Sequence, residues 1–97
     1  MSKDWFVYIV ACCDHTYYTG ITKDICARIA AHNAGKGAKY TRSRLPVELQ
    51  FFEECSTESE ARKREYELKK MTRSQKANLV DNFPPGRLSI VIETENS

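Results

Sequence analysis

The sequence contains no CxxC pair, no internal repeat, no low-complexity stretch and no apolar run near the roughly 18 residues that a bilayer span requires. A paired-cysteine zinc site and a membrane helix are thereby excluded. Cys12, Cys13, Cys26 and Cys55 are instead expected to be small buried hydrophobes in a reducing compartment, and adjacent Cys12 and Cys13 would point to opposite faces of a strand. The opening "MSKDWF" lacks the charged and apolar regions of a signal peptide, so the chain reads as cytoplasmic. At 97 residues it has room for one modest core, and any activity must share a small body with its binding surface.

A net charge of +2 says little about partners, but its distribution says more. Residues 23–44 hold Lys23, Arg28, Lys36, Lys39, Arg42 and Arg44 against Asp24 alone, and residues 62–76 hold seven basic residues against Glu65 and Glu67. Acids gather at the two ends and around Glu48, Glu53 and Glu54. Two basic blocks in a balanced chain suggest a side that faces a polyanion; the plain alternative is a pair of solvated helices.

Residues 5–12 and 16–20 alternate in polarity and are rich in aromatic and β-branched side chains, which predicts a hairpin closed by "CDH". Thr22 is expected to cap a helix over residues 23–33, stopped by "GKG" at 35–37. "AKYTRSRLP" reads as a basic loop and residues 47–55 as a third strand. Thr57 with Glu60, and Thr72 with Gln75, have the spacing of capping boxes for helices reaching about Met71 and Asp81. "FPPG" breaks the last helix, leaving residues 84–97 as an edge strand or tail beyond a domain of residues 1–83. The order ββαβαα predicts an α+β fold, a small three-stranded antiparallel sheet flanked by helices.

Several polar groups fall on faces that should be apolar. On the first helix Ile25, Arg28, Ile29 and His32 share one arc of about 100°. Alone, the arginine can snorkel to water and the histidine can be a satisfied core side chain; at i and i+4 their tips leave the core together. On the second helix Ala61 and Leu68 bracket Glu65, which either pairs with Arg28 or binds a divalent cation. Tyr8, Tyr17 and Tyr18 are more aromatic rings than a hairpin needs. A three-residue turn at 13–15 pairs Val10 with Tyr18 and Tyr8 with Gly20, putting Tyr8 and Tyr18 on one face, whereas a two-residue turn separates them. Tyrosines, an arginine, a histidine and a carboxylate are the parts of a phosphodiester hydrolase.

"VYI" at 7–9, "YTG" at 18–20, "ARIAAHNAGKGAKYTRSRLPVEL" and "ARKREYELKKMTRSQK" together resemble the GIY-YIG nuclease domain, in particular its small single-domain bacterial members. Phe6 and Val7 replace the Gly and Ile of the first motif. The resemblance implies cleavage of nucleic acid phosphodiesters with one magnesium or manganese ion, bound mainly with substrate. It gives Tyr8 the orienting or deprotonation of the attacking water, with Tyr18 beside it. Arg28 becomes the catalytic arginine, His32 a proton-transfer or phosphate-binding group, Glu65 the metal ligand, and Asn78, in competition with Asn82, a bonding partner of the cluster. Lys36, Lys39, Arg42 and Arg44 are expected to meet phosphates, and Tyr40 to stack on an unpaired base. The expected protein is thus an endonuclease acting on nucleic acid, DNA first, in repair or recombination, as a monomer with no membrane partner. Two alternatives stand beside it: a DNA- or RNA-binding module without turnover, and an interaction protein using its sheet edge.

Overall fold

The computed structural model describes residues 4–84 and 86. Seven elements follow in the order β1 (Trp5–Ala11), β2 (Tyr17–Thr22), α1 (Ile25–Asn33), α2 (Lys39–Arg42), β3 (Glu48–Cys55), α3 (Glu58–Lys69) and α4 (Arg73–Asn82). The expected α+β fold is present: one antiparallel sheet ordered β2-β1-β3, with helices packed about it. The final segment expected as strand or tail lies, apart from Pro84 and Gly86, outside the described residues.

The hairpin is built as its length predicts. Cys12 N–H donates to Thr16 C=O at 2.8 Å across a three-residue turn, which gives the register Tyr8↔Gly20 and Val10↔Tyr18. His15 closes the turn with φ 68°, a left-handed conformation that histidine adopts more readily than most side chains. Asp14 fixes the turn by accepting from the Thr16 backbone N–H and hydroxyl at 3.2 and 2.6 Å. Tyr8 and Tyr18 therefore project to the same face.

The helices begin and end for local reasons. Asp24, not Thr22, caps α1: its carboxylate accepts from Ala27 N–H at 3.1 Å, while the Thr22 hydroxyl accepts from Asp24 N–H. Thr22 still belongs to β2, which is why the helix starts two residues later than expected. Gly35, at φ 78°, ends α1, and Lys36 N–H returns to Ala31 C=O, a Schellman closure. The capping box of α4 is complete at Thr72 and Gln75. In α3 Thr57 accepts from Glu60 N–H, but the Glu60 carboxylate returns to Ser56 N–H, so this box closes one residue early.

Two further expectations are corrected. The basic segment is not all loop, because residues 39–42 form one short helical turn, α2. Only Cys12 and Cys55 are core residues; Cys13 sits in the hairpin turn and is exposed, and Cys26 is half-buried. The core gathers Val7, Tyr8, Ile9 and Val10 of the central strand with Phe51, Phe52, Ala61 and Leu68. Asn33 ties the end of α1 to the start of β3 by a two-way amide pairing with Val47, at 2.8 and 3.1 Å.

Candidate nuclease site

Tyr8, at the middle of the central strand, is fully buried, and its ring runs beneath Gly20 of β2. A Cβ at Gly20 would lie 2.6 Å from the Tyr8 hydroxyl oxygen, so the glycine of "YTG" is what lets the ring pass. The hydroxyl meets two side chains of α1: His32 Nε2 at 2.9 Å and Arg28 Nε at 3.4 Å.

These contacts fix the protonation of His32. The Thr41 hydroxyl spends its only proton on Ala38 C=O at 2.9 Å, so its oxygen accepts from His32 Nδ1–H at 2.8 Å. Nε2 is then the unprotonated nitrogen and accepts from Tyr8 O–H. Burial, reinforced by the charge of Arg28, lowers the His32 pKa and keeps the ring neutral. Burial also pushes Tyr8 up to about 12, despite the opposing bond and charge of Arg28. Tyr8 is thus held as a protonated donor at neutral pH.

Arg28 is half-buried, its charged form favoured first by the bond to Tyr8 and further by Tyr18. Tyr18 packs edge-on to the His32 ring, with centroids 5.4 Å apart, and unlike Tyr8 it retains solvent exposure. Glu65 lies between the fully buried Ala61 and Leu68, its side chain only 20 % exposed, and its charge is felt at Tyr8. It bonds to Lys69 at 3.3 Å, and among the described residues no ion pair joins it to Arg28. The structural salt bridge that offered a plain explanation of both residues is absent there.

Tyr8, Tyr18, Arg28 and His32 are therefore brought together, and the charge of Glu65 registers at Tyr8. Asn78 is not: it is exposed on α4 and accepts from Asn82 at 3.3 Å. Lys36, Lys39 and Arg42 are exposed as expected. Arg44 is largely committed within the protein, to Asp14 at 3.0 Å and to Tyr40 C=O at 2.7 Å. Its guanidinium also lies 3.9 Å from the centre of the Tyr40 ring, which stacks on Tyr18 at 6.0 Å. Tyr40 therefore already has partners for its ring.

Sequence reasoning missed Thr41 and Gly37. Thr41 lies nine residues beyond His32 in a segment read as loop, and only the turn of α2 delivers its hydroxyl. Gly37 packs directly against the His32 ring and backbone, where a Cβ would collide with Nδ1. The second glycine of "GKG" was visible, but as a helix stop.

Removing the Tyr8 hydroxyl tests this network. Tyr8→Phe keeps the ring yet leaves buried Nε2 without its donor, which is expected to cost about 1–3 kcal/mol. Urea unfolding of the variant beside wild type measures it; equal stability would mean that the bond to His32 is not made.

The chain belongs to the GIY-YIG catalytic domain family, whose model matches residues 4–78. It is 57 % identical over 75 residues to a UPF0213 protein of Staphylococcus epidermidis, covering 77 % of this chain and 92 % of that one. A UPF0213 protein of Halobacterium salinarum is 53 % identical over 73 residues, covering 75 % and 95 %. The solution structure of a UPF0213 protein from Bacillus halodurans superposes with a TM-score of 0.55 at 41 % identity, over 88 % of this chain and 92 % of the other.

Proposed function

We propose that the protein is a metal-dependent endonuclease that hydrolyses phosphodiester bonds in nucleic acid, DNA first, with a role in repair or recombination. The observation that carries this reading is Arg28, which donates from Nε to Tyr8 and is favoured in its charged form by Tyr18, in a cluster where the charge of Glu65 registers at Tyr8. A binding module has no need of a carboxylate whose charge reaches the cluster that attracts phosphate.

The chemistry divides by exposure. Arg28 offers a rigid fork to the non-bridging phosphate oxygens and stabilises the charge that develops on them. Tyr18, the tyrosine that water can reach, orients the attacking water. Tyr8, closed off from solvent, acts through its neighbours, aiming Arg28 with its oxygen and His32 with its proton. His32 is neutral with Nε2 accepting, so it can take the Tyr8 proton if Tyr8 gains one from the site.

Among the described residues no three His, Cys, Asp or Glu side chains gather to hold a metal. That fits magnesium, which uses one or two carboxylates and completes its shell with water and substrate phosphate. Glu65 is the residue that would hold it, one of its oxygens now facing Lys69. A bound ion would polarise the phosphate and neutralise charge on the leaving oxygen.

The test is cleavage of labelled duplex, nicked, branched and single-stranded DNA and RNA with magnesium or manganese. At least one substrate is expected to be cut, only with metal and not after chelation. Binding without cleavage across the whole panel would make the protein a nucleic-acid-binding module instead.

A further inference from the structure

β2 is one of the two edge strands of the sheet, and a groove of about 210 Å³ lies against it. It is lined by Tyr17, Tyr18 and Thr19 of β2, Tyr40 of α2, Lys69 of α3 and Lys76 of α4. Tyr17 and Lys76 also border an adjoining depression of about 220 Å³ that adds Arg73. Lys69, Arg73 and Lys76, from the end of α3 and the start of α4, thus border two adjoining hollows with Tyr17, Tyr18 and Tyr40; Lys69 is already paired with Glu65 at 3.3 Å, while among the described residues Arg73 and Lys76 have no carboxylate partner. None of these cations belongs to the basic segment at 36–44.

The groove has the electrostatics of a site awaiting an anion. Lys76 is half-buried, and among the described residues no carboxylate pairs with it. It sits close enough to Lys69 for the two charges to repel. Desolvating an ammonium beside another is unfavourable unless an anion joins them. Tyr18 links the groove to the reaction centre, since the same ring packs on His32 and acts on Arg28.

We infer that this groove is a second track for the substrate backbone, in which Lys76 and Arg73 each hold a phosphate of the strand leading away from Tyr18 and Arg28. The inference rests on the nuclease reading. A polynucleotide fits better than an acidic peptide, because successive phosphates match the adjoining cations Lys76 and Arg73 while the Tyr17 ring, which borders both hollows, serves a sugar or base. The basic segment at 36–44 would then hold the strand on the other side of the bond to be cut.

The experiment is binding, not cleavage: fluorescence anisotropy of a labelled 12-nucleotide DNA strand and its duplex, without divalent metal, over a salt series. Arg73→Gln with Lys76→Gln is compared with wild type and with Arg62→Gln with Lys63→Gln, a charge-matched pair of exposed positions on α3 outside the groove. Losing two phosphate contacts should flatten the slope of log affinity against log salt by about 1.4 on single strands and 1.8 on duplex. Between 50 and 200 mM salt the groove variant then loses about 7- to 12-fold less affinity than wild type, whereas the control pair follows wild type. An unchanged slope in the groove variant, or an equal change in the control pair, overturns the track. If wild type binds neither DNA nor the corresponding RNA at low salt, the nuclease reading fails with it; if wild type binds and cleaves while the groove variant keeps its slope, only the groove is refuted.

Discussion

Arg28→Ala is expected to slow single-turnover cleavage by about 100- to 1,000-fold, the loss that follows removal of one preorganised contact to developing charge. Glu65→Gln should reduce it by orders of magnitude as well, because an amide is a poor ligand for a hard cation. What separates a catalytic role from a structural one is the accompanying stability. Glu65 pairs with Lys69, and the lysine side chain is 52 % exposed. An ion pair open to water on one side is worth little, so Glu65→Gln should melt close to wild type and bind nucleic acid as well or better, one negative charge having left the site. Cleavage and melting measured on the same purified variants decide the matter. Undiminished cleavage by Glu65→Gln would mean that the metal is held elsewhere.

Gly37→Ala should be among the most damaging changes of a single methyl group. The new Cβ would overlap His32 Nδ1 and approach its Cα to 2.8 Å, and a backbone contact cannot be relieved by rotating a side chain. Either α1 or the segment leading to α2 must shift, at about 1–3 kcal/mol for overpacking. For a domain of this size each kcal/mol lowers Tm by roughly 4–8 °C. The shift also parts His32 from Thr41 and so from its tautomer, so activity should fall further than the stability loss explains when both are measured well below the melting range. A Gly37→Ala protein that melts and cleaves like wild type would show that the His32 ring is not packed against this glycine.

The parts of the molecule legible in the sequence are those with local causes. Hairpin register follows from turn length, since the side-chain period of a strand is two; a three-residue turn at 13–15 therefore commits Tyr8 and Tyr18 to one face before any tertiary contact forms. Helix starts at Thr57 and Thr72 follow from a hydroxyl placed three residues before a Glu or Gln. Polar groups at Arg28, His32 and Glu65 stand out because burying them costs free energy that nothing nearby in the chain repays.

Partners and exposure are another matter. That Tyr8 is sealed and Tyr18 open depends on Gly20 and on α1 crossing over the hairpin, not on the spacing of the two motifs. That Glu65 turns to Lys69, and Arg28 to the tyrosines, depends on where α3 comes to rest against β1 and β2. Thr41 reaches His32 only through α2, a turn too short to carry its own sequence signal, and the grouping of Lys69, Arg73 and Lys76 forms only when two helices meet the edge of β2. A sequence fixes which groups must be satisfied, because propensity and periodicity act within a few residues. Which group satisfies which is decided by packing, because hydrogen bonds and charges choose among whatever neighbours the folded chain brings within a few ångströms.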